Sequence, residues 1–307
     1  MSLIWPSRQK VFLRLSAGLH SFSQGQHQLL GIQQLAAREA LAMQMVASLR
    51  RLDYTRILKG RTIHQERADP CSSMFDPERA AVLHAKKGQL DEAIWLIFLA
   101  THFGKHGRFG WTRMRDVYSA LGQDRWTWAK VASNVDEFEE WMHLNYDKIG
   151  GAFGNHRKYE TLNPNSKNGT VAVVRSFVEC VKGAPSKWFA ELTRQVGNDP
   201  HKIFDAAYRH FQIARFGRLA KFDFLALLGR LDLAPIWPGS PYLREATGPL
   251  RGARLLVDGD PKSRTSAEKL EEILGLLDQT LNVGMQVMED SICNWQKSPT
   301  HFKHFKG

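Results

Sequence analysis

The chain has 307 residues, and its 42 Lys and Arg outnumber its 31 Asp and Glu, which leaves a net charge of +11 at neutral pH. With 43% hydrophobic and 24% charged residues, the composition is that of a folded protein and excludes an intrinsically disordered chain. The basic surplus indicates an anionic partner: nucleic acid first, an acidic membrane surface second, with plain solubility as the alternative explanation.

Cysteine usage and apolar runs narrow the class of protein further. Cys71, Cys180 and Cys293 lie far apart, which excludes a Cys-x-x-Cys zinc site and a four-cysteine iron–sulfur cluster and argues against a disulfide framework. The longest apolar run, residues 93–100, is too short to span a bilayer, and the N-terminus lacks the apolar region of a signal peptide. We therefore predict a cytoplasmic protein that does not enter a membrane.

Helical periodicity dominates the chain in order from the N-terminus. Asp76 and Asp199 each precede a proline, which is typical of an N-cap followed by a first-turn proline. Residues 91–102 are apolar on most sides, which predicts the most buried helix. The predicted helices cover residues 29–58, 77–87, 91–102, 112–121, 133–144, 200–216 and 265–295. Residues 171–174 are β-branched enough for a strand, but Thr170 begins a helix equally well, so we predict an all-α fold.

The last predicted helix has the clearest pattern. Thr265 and Glu268 have the spacing of a capping box. Apolar side chains then recur at three- and four-residue steps as far as Trp295, which is typical of core packing.

The N-terminal segment, residues 1–61, has a different charge pattern. It contains nine Lys and Arg and only Glu39 and Asp53 as acids. We predict a basic helical extension over residues 1–61 and a helical body over residues 62–307, with a lobe boundary near residues 163–169. The cations of the extension either contact phosphate or form a solvated face.

Several catalytic motifs are missing from the sequence. It contains no phosphate-binding Gly-x-x-x-x-Gly-Lys-Ser/Thr, no Gly-x-Ser-x-Gly, no His-Glu-x-x-His and no Gly-x-Gly-x-x-Gly between a strand and a helix. Residues 258–260 resemble the start of a calcium loop, but Lys269 stands where that loop requires Glu. These absences argue against a nucleotide-hydrolysing motor and a zinc hydrolase, and we predict no metal site.

Two short clusters combine cations with aromatic side chains. In residues 102–111, Gly-rich turns carry Lys105 and Arg108, which we predict to bind phosphate beside rings that stack on a base. The alternative is an ordinary loop whose aromatic side chains fold inward. The second cluster is residues 153–160, where a solvated charge run is the alternative. There we predict base recognition by Asn155, His156 and Tyr159, and phosphate binding by Arg157 and Lys158.

A third cluster, residues 248–260, pairs a Gly-Pro turn with two acids. Backbone N–H groups and the cations Arg251 and Arg254 suit a phosphate at the start of a helix. We predict Asp258, with Asp260 as second choice, as the catalytic residue that stabilises positive charge on a sugar or orients water toward C1′. The alternative is an ordinary Asp-Gly-Asp turn.

Five segments together resemble one known family, and they read DEAIWLIFLATHFGK, FGNHRKYE, GRLAKFDFLALLGRL, ATGPLRGARLLVDGD and MEDSICNWQK. They resemble the alpha-glutamyl/putrescinyl thymine pyrophosphorylase-like family, its third clade in particular. The resemblance implies an offshoot of the helix-hairpin-helix DNA glycosylase superfamily, with two helical lobes and DNA crossing the cleft. It also implies action on hypermodified pyrimidines, such as glucosylated 5-hydroxymethylcytosine or substituted thymines, in conflicts between phages and hosts.

The sequence departs from typical helix-hairpin-helix glycosylases at the hairpin. Gly248 lacks the usual preceding glycine, residues 217–220 are a rival hairpin, and Asp258 lies at an unusual distance from both. No lysine occupies an obvious nucleophile position, which favours a hydrolytic route without a metal or other cofactor.

From these patterns and the resemblance we predict a monofunctional DNA glycosylase that flips out and excises a hypermodified pyrimidine, leaving an abasic site, in antiphage defence. Glu289 and Asn294 are expected to line its base site, or else to be surface residues. The expected partner is double-stranded phage DNA, with no obligate protein partner. The alternatives are a pyrophosphorylase-like transferase that remodels a modified thymine, and a non-catalytic DNA-binding or sensing module.

Overall fold

Helices form nearly all the regular structure of the protein. The computed structural model describes residues 5–304, and in that range fourteen α-helices and six short 3-10 helices occur with no β-strand. This confirms the all-α prediction. Two short segments lie outside the described residues: 1–4 and 305–307. The first is the start of the predicted N-terminal extension, where we expected no signal peptide, and the second is the end of the predicted helical body.

The α-helices are α1 (Gln9–Gly25), α2 (Leu35–Gly60), α3 (Pro77–Lys86), α4 (Leu90–Phe103), α5 (Thr112–Tyr118), α6 (Trp128–Ser133), α7 (Val135–Asn145), α8 (Thr170–Cys180), α9 (Pro185–Val196), α10 (Pro200–His210), α11 (Arg218–Arg230), α12 (Gly248–Asp258), α13 (Ala267–Leu281) and α14 (Met285–Trp295). None of the helices within residues 5–304 is long and apolar enough to cross a membrane.

The chain divides into two compact units. The first unit contains the residues up to Tyr54 together with those from Pro238 onward, and the second unit is Thr55–Trp237. Packing therefore joins the two ends of the chain in one unit. The division predicted from composition, residues 1–61 and 62–307 with a lobe boundary near residues 163–169, stays a prediction.

The first unit is built on the apolar faces of α1, α12, α13 and α14. Leu19, Leu256, Leu274 and Met288 are fully buried in its core. The indole N–H of Trp295 is satisfied by backbone carbonyls, as expected for a buried tryptophan. Burial of these side chains is the main stabilising contribution to this unit.

The second unit is centred on α4, as predicted from its apolar composition. All side chains from Ala93 to Leu99 are fully buried. Around them lies an aromatic core in which the Phe98 and Phe177 rings stack with centroids 3.9 Å apart. The indole of Trp95 donates to the Trp126 carbonyl at 2.8 Å, so the helix is fixed by a polar contact as well as by packing.

Capping signals placed several helix starts correctly. The Asp76 carboxylate accepts from the Arg79 N–H at 3.1 Å and begins α3, and Asp199 caps α10 in the same way. Residues 171–174 lie inside α8, which settles the choice between strand and helix left open by their β-branched side chains.

Other boundaries differ from the predicted ones. A 3-10 turn over Leu30–Ile32 precedes α2, and α10 ends at His210, before residue 216. Asn134 caps α7 through its side chain, so this helix begins at Val135 and not at residue 133.

The predicted helix over residues 265–295 is two helices. Ser266, in place of Thr265, caps α13 by accepting from the Lys269 N–H at 3.2 Å. The helix then ends at Asn282 in the left-handed region (φ +48°), where the Asp278 carboxylate accepts from two N–H groups of the turn. The apolar spacing continues across this turn, so periodicity alone did not reveal the break.

Candidate active site

The segment FGNHRKYE forms a fixed loop in the second unit, called here the 154–160 loop. The Gly154 N–H donates to the Phe103 carbonyl at the end of α4, at 2.8 Å. A Cβ on Gly154 would lie 2.8 Å from the carbonyl carbon of Gly104, closer than side chains tolerate. Glycine is therefore required where this loop touches the chain after α4.

Arg157 anchors the same loop from inside. Its side chain is only 8% exposed, and Nε donates to the Thr101 carbonyl at 3.0 Å. The guanidinium lies 5.7 Å from the centroid of the Phe216 ring, and it interacts electrostatically with Asp223 and Glu160. Arg157, which we expected to bind phosphate, thus has its contacts within the protein.

Asp223 lies on α11 among cationic side chains. Burial is the largest influence on its carboxyl group and raises its pKa above the ordinary value of 3.8, although Arg157, Arg230, Arg218 and His156 lower it. The side chain is nevertheless accessible to solvent. Protein atoms packed around the carboxyl group set the direction of the pKa shift, although part of the side chain reaches solvent.

Glu78, in the first turn of α3, is the second carboxyl group of this kind. Burial raises its pKa above 4.5, and the nearby Asp76 raises it further, while Arg230 and Lys105 oppose both influences. Arg230 therefore interacts electrostatically with Glu78 and with Asp223. We call Glu78, Arg157, Asp223 and Arg230 the Asp223 cluster.

The Asp223 cluster has the chemistry of an acid–base site. Carboxyl groups with raised pKa values exchange protons nearer neutral pH than ordinary Asp or Glu, which is what general acid–base catalysis requires. The guanidinium groups favour an ionised carboxylate beside them and can also bind an anionic group. Within residues 5–304, no three His, Cys, Asp or Glu side chains group together as a metal site.

His102 supports the cluster as a neutral, fully buried group behind Arg157. Burial, with the charges of Arg157 and Arg215, lowers its pKa to about 3. Its Nε2 lies 3.0 Å from Thr170 Oγ1, and that hydroxyl donates to the Thr161 carbonyl. Because the Thr170 hydroxyl proton is used there, His102 Nε2 carries the hydrogen and donates to Thr170.

Asp258 and Asp260, the acids predicted to be catalytic, lie in the first unit at the end of α12. The Ser263 hydroxyl donates to the Asp258 carboxylate, and Asp260 accepts from the Lys262 N–H at 2.9 Å. Gly259 between them takes a left-handed conformation (φ +70°) that ends the helix. Both carboxylates therefore contribute to the turn between α12 and α13.

The other predicted residues of the first unit lie on α12 and α14. Arg251 is exposed, and Arg254 donates to the Thr265 carbonyl at 3.3 Å. Glu289 is buried, and the Asn294 amide donates to Asp290 at 2.9 Å. Their predicted roles in base and phosphate binding stay predictions.

The remaining predicted residues are exposed side chains of the second unit, namely Lys105, Arg108, Asn155, His156, Lys158 and Tyr159. The structure brings His156 and Arg157 together with Asp223, which our sequence analysis did not assign.

Sequence reasoning missed Glu78, Asp223 and Arg230. Asp223 carried a detectable signal, because it is an acid between two phenylalanines in the otherwise apolar middle of α11. Glu78 carried none, since an acid in the first turn of a helix is ordinary.

Comparison with models of protein families finds one match over residues 36–307, to the family described as alpha-glutamyl/putrescinyl thymine pyrophosphorylase clade 3. The match covers most of the chain and confirms the resemblance carried by the five segments. No curated protein and no solved structure matches the chain.

Proposed function

Since the chain belongs to the alpha-glutamyl/putrescinyl thymine pyrophosphorylase family, clade 3, we propose that it is a DNA glycosylase that excises a hypermodified pyrimidine. Membership in this family indicates an enzyme that acts on a modified thymine. The observation that carries the finer proposal is the Asp223 cluster, because two carboxyl groups with raised pKa values share one arginine. Substituted thymines and glucosylated 5-hydroxymethylcytosine are the proposed substrates.

Asp223 is the proposed base of the reaction. Three arginines and His156 surround it and favour its ionised form, which stabilises positive charge on the sugar. Asp223 also takes a proton from the water whose oxygen bonds to C1′.

Glu78 is the proposed acid, because burial favours its protonated form, and Asp76 acts in the same direction against the opposing charges of Arg230 and Lys105. As the bond between C1′ and N1 breaks, its electron pair goes to the pyrimidine, and Glu78 gives its proton to O2 of the base. The products are a free base and an abasic sugar.

Base flipping precedes this chemistry and costs a few kcal/mol, which contacts to the extruded base must offset. Asn155 and His156, both in the second unit, are the proposed contacts to the extruded base. In an infected cell, abasic sites in modified phage DNA would block its replication, so antiphage defence in the cytoplasm is the proposed context.

The test is excision from duplex oligonucleotides that carry either modified base, followed by alkali and measurement of strand cleavage. We expect Asp223→Asn to lower the rate by about 10²- to 10⁴-fold, the usual contribution of general acid–base catalysis. Asp147→Asn, at an exposed acid of the same unit, is the matched control and should retain the wild-type rate. Wild-type excision by Asp223→Asn together with a large loss in Asp258→Asn would move the catalytic role to Asp258.

The family description also favours a second function, a transferase that replaces a group on a modified thymine and leaves the glycosidic bond intact. Mass spectrometry of digested product DNA separates the two reactions. A free base with an abasic sugar supports the glycosylase, whereas an altered intact nucleoside supports the transferase. A non-catalytic sensing module would give neither product and would be unaffected by Asp223→Asn.

A further inference from the structure

Two neighbouring loops of the second unit each present an exposed ring beside a cation. The 154–160 loop carries Tyr159, which is 79% exposed, with Lys158 Nζ 5.0 Å from its ring centroid. The 104–110 loop, which follows α4, carries Phe109, which is 42% exposed, with the Arg108 guanidinium 5.3 Å from its ring centroid. Two such rings, each beside a cation and on loops that touch each other, are a candidate interaction surface.

The two loops start from one junction. Gly104 and Gly154 pack backbone against backbone there, with no room for a Cβ on Gly154. A shift of one loop at this junction would therefore displace the other.

The 104–110 loop is rigid in its own right. His106 and Gly110 exchange two backbone hydrogen bonds of 2.9 and 2.8 Å. His106 Nδ1 also accepts from the N–H groups of Arg108 and Phe109, and its ring stacks on Phe109 with centroids 5.0 Å apart. These contacts hold the Phe109 ring at the surface.

The far end of the 154–160 loop is fixed by an ion pair. Arg215 Nε lies 3.1 Å from the Glu160 carboxylate, which is almost completely buried. Tyr159 precedes Glu160 in the chain, so this ion pair holds the backbone beside Tyr159 in place. The Tyr159 ring itself is exposed to solvent.

The cations of both loops are available to an anion. Within residues 5–304, Lys105, Arg108 and Lys158 form no salt bridge. Cations interleaved with exposed rings are typical of surfaces that bind single strands, where rings stack on bases and cations hold phosphates.

Building on the proposed function, we propose that the 104–110 and 154–160 loops form one surface that binds unpaired nucleotides next to the target base. Tyr159 and Phe109 stack on bases, while Arg108 and Lys158 contact the phosphates between them. In an intact duplex both faces of each base are covered by its neighbours, so this surface favours DNA whose stacking is already opened.

The test uses an unmodified 12-nucleotide single strand that contains 2-aminopurine, and the same sequence as a full duplex. Stacking on a protein ring quenches 2-aminopurine fluorescence. We expect the wild-type protein to quench the single strand. Tyr159→Ala and Phe109→Ala should each lose most of that quenching and bind the single strand about 10-fold more weakly, as expected for one lost base stack.

Two variants serve as controls. Tyr159→Phe keeps the ring and should retain both quenching and affinity. Tyr146→Ala removes an exposed tyrosine (37%) from another segment of the same unit and should behave as the wild type. Duplex affinity should change less than the single-strand affinity in both alanine variants of the loops.

Unchanged quenching and single-strand affinity in Tyr159→Ala and Phe109→Ala would overturn the proposal, and so would an equal loss for single strand and duplex. The oligonucleotides carry no modified base, so failure to excise one does not alter this readout. The proposed glycosylase activity and the proposed surface therefore fail independently.

Discussion

At the scale of single residues, the two carboxyl groups of the Asp223 cluster differ in the charged groups that act on them. Burial raises the pKa of both carboxyl groups, and cations lower it at both, but Glu78 also has the acid Asp76 beside it, whereas the charges that act on Asp223 are all cations. The first arrangement favours a bound proton and the second an ionised group. This difference supports the assignment of Glu78 as acid and Asp223 as base.

Buried His102 allows a residue-scale prediction about stability. Its pKa is lowered from 6.5 to about 3, so the unfolded chain binds a proton more readily than the folded one between these values. Stability therefore falls as pH drops below about 6.5, by up to about 1.4 kcal/mol per pH unit from this residue. His102→Gln keeps a donor for Thr170 and should make the free energy of unfolding less dependent on pH between 7 and 5.

Urea unfolding at pH 7, 6 and 5 measures this dependence. His210→Gln, at an exposed histidine of the same unit, is the control and should keep the wild-type slope. An identical slope for His102→Gln and the wild type would mean that His102 does not couple folding to protonation.

The contacts of Asp223 also show what sequence reasoning can reach at this scale. An acid flanked by Phe222 and Phe224 is anomalous in the sequence itself. Its partner Arg157 comes from a loop far earlier in the chain, and no local spacing predicts that they meet. The sequence alone therefore reveals the unusual acid, but its contact with Arg157 depends on tertiary packing.

At the scale of helices, capping residues and apolar periodicity predicted where a helix exists more reliably than they predicted where it ends. The helix starts at Asp76 and Asp199 were predicted correctly, because each side chain offers a hydrogen-bond acceptor directly before a proline. The end of α13 was missed because the Asp278 carboxylate stabilises a turn without interrupting the apolar spacing. Turns that preserve helical spacing are therefore hidden from a periodicity argument.

Two helical glycines of the first unit allow an element-scale prediction. A Cβ on Gly252 of α12 would lie 2.3 Å from the Ile292 carbonyl oxygen of α14, whereas one on Gly275 of α13 would meet nothing within 4 Å. We expect Gly252→Ala to destabilise the protein by about 1–3 kcal/mol, because the two helices must separate. Gly275→Ala should stabilise it by up to about 1 kcal/mol through helix propensity.

Thermal and urea unfolding of the two variants measure these opposite effects. Each variant is the other's control, since both replace a helical glycine by alanine in the same unit. Equal changes in the two would show that backbone propensity, and not the contact between α12 and α14, decides the outcome.

At the scale of the whole molecule, the net charge of +11 includes cations that already have partners within the protein. The N-terminal segment holds nine Lys and Arg, but several have partners in the protein. Arg8 pairs with Asp53 at 2.7 Å, Arg51 pairs with Asp290, and Arg14 donates to the Leu281 carbonyl. Composition counts charges along the chain, but only the folded structure shows which of them already have a partner.

The cations of the two loops lead to a prediction about salt. A phosphate contact to a single strand releases about 0.7 of a counterion, so each lost contact lowers the slope of log affinity against log salt by about 0.7. We expect this decrease for Lys158→Gln and for Arg108→Gln, measured by fluorescence anisotropy with an unmodified single strand over a range of NaCl concentrations. Lys187→Gln removes an exposed lysine of α9 in the same unit and should keep the wild-type slope. Equal decreases in all three variants would instead show that the net charge attracts DNA diffusely, without phosphate contacts at the two loops.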